Sequence, residues 1–161
     1  MAIAFHAFTF LAAGLDTTAT TITMTLFYLA KYPDLQDRAA RECAKLDLEQ
    51  LESLEGLQAE IPFTHACIKE AMRLAPPGYL LTRMPLTDLQ LGPYKIPKGV
   101  NVGFNIYALH YNPKYFPDPK RFRPDRFMAG DPEMDRRPPN TFLPFGLGAR
   151  NCIGQRFAVL T

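Results

Sequence analysis

Only three of the 161 residues are cysteines, and Cys43, Cys67 and Cys152 lie too far apart to form a C-x-x-C pair. Neither a disulfide framework nor a zinc site is indicated, and such sparse, odd-numbered cysteine fits a reducing compartment. A strong charge of one sign is lacking too. Eighteen basic residues stand against 16 acidic ones, a formal net charge of +2, with no Lys/Arg-rich run. Nucleic acid is therefore not expected as a partner. No long uninterrupted apolar run is present either. Met1 to Leu15 contain no Asp, Glu, Lys or Arg, but a membrane span needs roughly 18–20 apolar residues. No Lys or Arg precedes Lys31, so the positive head of a signal peptide is missing. A buried helix is the expected fate of this segment.

What is present divides into helices, short strands and a proline-dense coil. Residues 4–30 hold no Gly or Pro except Gly14 and read as one long, mostly buried helix, although threonines at 17, 18, 20, 21, 23 and 25 lower helix propensity. Pro33-Asp34 opens a surface helix running to Leu46, with Pro in the first turn and an acid at the positive dipole end. Residues 47–61 are acidic and irregular and read as a loop. Pro62 begins a helix that ends before Pro76-Pro77. Between Tyr79 and Asn105 the turn signals Gly92-Pro93 and Pro97-Lys98-Gly99 separate short strands and hairpins. From Pro113 to Pro144 prolines are too frequent for a regular element, yet Tyr115, Phe116, Phe122 and Phe127 suggest packed coil. Ile153 to Thr161 reads as a helix. The length suits one domain with a sizeable core.

Three segments carry chemistry. Phe145-Gly-Leu-Gly-Ala-Arg-Asn-Cys-Ile-Gly154 has glycines, Gly146 among them, that permit positive-φ turns and close approach of backbone to a flat ligand. Cys152 stands just before a helix, where free N–H groups and the dipole stabilise a thiolate. Arg150 offers a permanent cation to an anionic group. For a lone cysteine the ordinary reading is a small buried hydrophobe, but five further positions here match F-G-x-G-x-R-x-C-x-G. In Glu70-Ala-Met-Arg73, Phe63, Cys67, Glu70 and Leu74 fall on one helical stripe, where a carboxylate is costly unless paired, and Arg73 at i+3 is the partner. E-x-x-R on its own also describes an ordinary surface pair. In Ala13-Gly-Leu-Asp-Thr-Thr18, Thr17 can bond the Ala13 carbonyl and open the helix, beside the proton-exchanging acid Asp16.

The cysteine segment resembles the ligand loop of the cytochrome P450 family, the haem-thiolate monooxygenases. The resemblance implies an axial Cys152–iron bond, with Phe145 packed beside the sulfur, Arg150 on one haem propionate and Arg83 on the other. A plain exposed loop arginine competes with that role for Arg83. The segment at 13–18 is similar to the family's oxygen-activating helix, A-G-x-D/E-T-T/S, which implies that Asp16 and Thr17 guide protons to dioxygen. Pro124-Asp-Arg-Phe127 resembles the family's P-x-R-F segment, making Arg126 the third member of a structural cluster with Glu70 and Arg73. Tyr79, Leu80 and Leu81 fall where the family lines its substrate pocket. His6, His65 and His110 have no partner at metal spacing and read as packing or surface residues, while Cys43 and Cys67 need no function.

The implied fold is mainly α with small β-sheets, an α+β class. It is the C-terminal part of the cytochrome P450 fold, a partial single domain over residues 1–161, truncated at both ends. The implied activity inserts one oxygen atom from O2 into an organic, apolar substrate on haem b. Electrons would come from an NADPH-dependent reductase or a ferredoxin. Membrane attachment would belong to an N-terminal region outside the chain. The compartment is open, with the endoplasmic reticulum membrane expected for a eukaryotic member. The fragment alone is expected to be inactive. Two rivals stand beside this reading: a haem-thiolate isomerase or dehydratase, and a non-catalytic haem-binding product. The Asp16-Thr17 pair argues against the isomerase, which has less need of proton delivery.

Overall fold

A computed structural model describes residues 2–47 and 54–160. Helix α1 (Ala2–Lys31) runs unbroken through the threonine-rich stretch. It tolerates threonine because Thr9, Thr17, Thr21 and Thr25 each donate a hydroxyl to the carbonyl four residues back. The expectation of a mostly buried helix fails for its first half: Phe5, Phe8, Leu11 and Leu15 are all more than half exposed. Only the C-terminal turns, at Thr25 and Leu29, lie in this chain's core, because the elements of this chain pack against that end alone.

Helices α2 (Pro33–Cys43) and α4 (Pro62–Leu74) both start with proline in the first turn. Their contact supplies the missing cap of α4. The Glu42 carboxylate accepts the backbone N–H of Phe63 at 2.9 Å and of Thr64 at 2.6 Å, satisfying two free donors at a positive helix end. Helix α3 (Leu54–Glu60) corrects the loop expected over 47–61. Leu, Glu, Gln and Ala are strong helix formers, and acidity alone does not prevent a helix. Residues 48–53 of that expected loop lie outside the described residues.

Strands β2 (Leu89–Leu91) and β3 (Tyr94–Ile96) form the expected hairpin around Gly92-Pro93, with Gly92 at φ 56°. β1 (Leu80–Arg83) pairs instead with the distant β4 (Val102–Asn105), antiparallel, with Leu80 opposite Asn105. Helix α5 (Ile106–His110), which no pattern announced, follows at once, capped by the Asn105 side chain accepting the Ala108 N–H at 2.8 Å. The proline-dense coil is not wholly irregular. Proline at the first position opens a 3-10 turn at Pro124–Phe127 and the short α6 (Pro132–Arg136), since a first-turn proline sacrifices no helical hydrogen bond. The chain's last helix is α7 (Gln155–Leu160).

The core joins α1, α2, α4 and the coil through Leu29, Ala39, Phe63, Cys67, Leu74 and Phe122. Phe122 stacks on Tyr28 with centroids 4.8 Å apart. Among the described residues no helix is long and apolar enough to cross a membrane.

Candidate functional site

The foundation of the site is a buried ion cluster. Glu70, Arg73 and Arg126 are each 0% exposed. Glu70 Oε2 accepts from Arg73 Nε at 2.8 Å, and Glu70 Oε1 accepts from Arg73 Nη2, the Arg123 backbone N–H and Arg126 Nε. Arg73 also donates to the carbonyls of His110, Pro119 and Arg121. The end of α5 and the coil at Pro119–Arg121 are thereby pinned to one helix. Arg126 is joined in turn to Glu133 at 2.6 Å, and Arg137 lies over the Phe116 and Phe127 rings and donates to the Arg126 carbonyl. Burial lowers the proton affinity of Arg126 and Arg137, but guanidinium starts so high that both stay charged near neutrality. The structure thus joins Arg126 to the Glu70–Arg73 pair as expected, and adds Arg123, Glu133 and Arg137, which the sequence reading did not mark.

Beyond the cluster the backbone turns into the cysteine loop. Gly146 and Gly148 adopt φ of 75° and 80°, which L side chains rarely tolerate. The Phe145 carbonyl accepts the Cys152 N–H at 2.8 Å, closing the loop. What the structure records between Phe145 and Cys152 is this backbone bond. Cys152 is exposed, as are the apolar side chains Leu147, Ile153 and Phe157 of the same segment of sequence. Arg150 is exposed on a 3-10 turn (Gly148–Arg150). Arg83 is exposed at the end of β1 rather than on a loop and donates to the Thr82 carbonyl at 2.8 Å. β1 lies close to the loop: a Cβ added at Gly146 would sit 3.6 Å from Leu81 Cδ1.

On α1, Thr17 Oγ1 donates to the Ala13 carbonyl at 2.6 Å, as its position implied. Asp16 and Thr17 line a groove of about 430 Å³ together with Pro76, Pro77, Tyr79 and Tyr107. Cys152 lines a different groove, of about 460 Å³, with Gln58, Gln155 and Arg156. Within this chain, then, the acid–hydroxyl pair and the thiol face separate spaces.

One residue that had looked like mere packing has a defined contact. His110 is 0% exposed, and its Nε2 accepts the Leu143 N–H at 3.0 Å. Its partner lies 33 positions away, so no spacing rule could have marked it. Burial and the facing Arg73 and Arg137 guanidinium groups push its pKa down to about 4. The ring stays neutral in the folded protein while an unfolded chain protonates near 6.5. The stabilisation from His110 is therefore complete above about pH 6.5 and is lost as pH falls towards 4. Over that window a loss of about 3 kcal/mol is expected, read as falling denaturant midpoints that flatten in His110→Gln. A pH-independent midpoint would refute the assignment.

The Cytochrome P450 family model matches residues 1–161. Similar proteins include a probable cytochrome P450 of Drosophila melanogaster, 42% identical over 94% of this chain and 29% of its own length. The ultra-long-chain fatty acid omega-hydroxylase of Homo sapiens is 41% identical over 94% of this chain and 29% of its own length. A cytochrome P450 monooxygenase of Gibberella zeae is 38% identical over 98% of this chain and 36% of its own length. The chain belongs to the cytochrome P450 family. It spans about 29% of the length of the first two of these relatives.

Membership of that family implies haem, and the residues fit it. Among the described residues no three His, Cys, Asp or Glu side chains gather to hold a bare metal ion. A porphyrin brings four nitrogen donors of its own, so one soft sulfur suffices. The exposed Cys152 thiol would meet that need.

Proposed function

We propose that the chain is the haem-binding C-terminal part of a monooxygenase that inserts one oxygen atom of O2 into an organic, apolar substrate. Electrons would come from an NADPH-dependent reductase or a ferredoxin. The observation carrying this reading is the loop that presents an exposed thiol after two positive-φ glycines, Gly146 and Gly148. Haem held by a thiolate supplies dioxygen activation, because sulfur electron donation favours O–O cleavage. Cys152 would hold it, with Phe145 beside the sulfur, Gly146 allowing close backbone approach, and Arg150 and Arg83 for the propionates. The similarity to the human ultra-long-chain fatty acid omega-hydroxylase supports a long apolar chain as the substrate class.

Asp16 and Thr17 would move protons. The Thr17 hydroxyl donates to the Ala13 carbonyl; turned away from that carbonyl, it would give its one proton to a bound group and take another in its place. Asp16 is exposed and exchanges protons with water, so the pair can pass a proton inward from solvent.

The test is NADPH-dependent oxygen uptake against product formed by the haem-loaded full-length protein with its electron donor. Thr17→Val is expected to lower product about tenfold or more while oxygen uptake continues. Peroxide rearrangement without NADPH would replace this reading by the isomerase. The 161 residues alone are expected to give no turnover.

A further inference from the structure

We infer that His110 is a positioning residue for the cysteine loop: its Nε2 accepts the Leu143 N–H and so sets the backbone that leads into Cys152. The inference rests on Cys152 being the haem ligand. His110 is tied at both ends. Its carbonyl accepts from Arg73 Nη1 at 2.9 Å, and its ring takes the Leu143 N–H at 3.0 Å. Two further bonds follow in the loop. The Leu143 carbonyl accepts the Gly146 N–H at 3.2 Å, and the Phe145 carbonyl accepts the Cys152 N–H at 2.8 Å. Hydrogen bonds and short stretches of covalent backbone thus connect the buried ion cluster to the sulfur.

Packing alone does not do this. Phe142 lies tilted against the His110 ring at 5.2 Å and against Phe127 at 4.7 Å. Such contacts fill space but have little directional preference, whereas a buried N–H needs an acceptor along its own axis. Nε2 accepts only in the tautomer that carries the proton on Nδ1, and Nδ1 is buried with no hydrogen-bond partner among the described residues. An unpartnered buried donor is unfavourable. The tautomer is therefore held by the Leu143 bond and not by anything at Nδ1.

The experiment uses the haem-loaded full-length protein and compares parent, His110→Leu and His110→Gln. Gln places an amide oxygen near the Nε2 position, whereas Leu fills volume without an acceptor. The readout is the red-shifted carbon monoxide band of thiolate-ligated ferrous haem, followed over time in mild denaturant at matched haem content and helicity. Loss of that band is expected about tenfold faster in His110→Leu, with Gln within about twofold of the parent. Where Leu yields no folded holoprotein, Asn, too short to reach Leu143, takes its place with the same expectation. Equal decay in the acceptor-free variant and the parent overturns the inference. A parent that shows no thiolate band at all sinks the assignment of Cys152 instead.

Discussion

Replacing Cys152 by Ser is expected to abolish the red-shifted carbon monoxide band and the proposed monooxygenase turnover of the haem-loaded protein. A serine hydroxyl is a hard, weakly acidic donor and does not supply the charge-bearing sulfur bond that the band reports. The other two thiols serve as controls. Burial pushes the Cys67 thiol up to about 12, so it remains protonated at neutral pH and is no ligand. Cys43 lies at the end of α2, its sulfur 3.5 Å from the Thr64 hydroxyl. Cys67→Ala and Cys43→Ser should therefore keep the band. Spectra of the three variants at equal haem load decide the matter, and a surviving band in Cys152→Ser would remove the oxygenase reading altogether.

Glu70→Ala is expected to cost about 3–5 kcal/mol of stability, because it leaves the buried Arg73 with no carboxylate and Arg126 with Glu133 alone. Arg73 and Arg126 are both 0% exposed, and each bonds the carboxylate that would be lost. Set against a typical domain stability of about 5–15 kcal/mol, that loss is a large share of the folding free energy. The measurement is the denaturant midpoint, or the yield of soluble haem-loaded protein where no transition can be followed. A variant within about 1 kcal/mol of the parent would show that the cluster relaxes or hydrates when opened. Replacing the whole cluster by apolar residues is a different experiment, since a buried ion pair need not outweigh its desolvation. What the cluster contributes is direction: Arg73 alone orders three backbone carbonyls, one at the end of α5 and two in the coil.

Several features of this chain were legible one residue at a time. Pro33 and Pro62 marked helix starts, Gly92 marked a turn, and the Thr17 hydroxyl found the carbonyl four residues back. Each depends on atoms within a few positions along the chain. Arg126 was legible only through the family resemblance, because 56 residues separate it from Glu70. Helix α3 was misread since its acidity was weighed above the helix propensity of Leu, Glu, Gln and Ala. The first half of α1 was read as buried on its apolar composition, yet composition says only that a surface seeks cover. Which surfaces find cover is settled by what packs against them, and in this chain only the last turns of α1 are met.

By itself the amino-acid order determined the residue types and local turns on which the proposed chemistry depends: a thiol among glycines, an acid beside a back-bonded threonine, a carboxylate on an apolar stripe. Only the tertiary structure decided that β1 pairs with β4, that Glu42 caps α4, and that His110 meets Leu143. The physical reason is range. Backbone torsion and i,i+4 contacts act within a turn and leave a periodic trace in the sequence. Contacts between distant segments depend on how whole elements stack, and leave none.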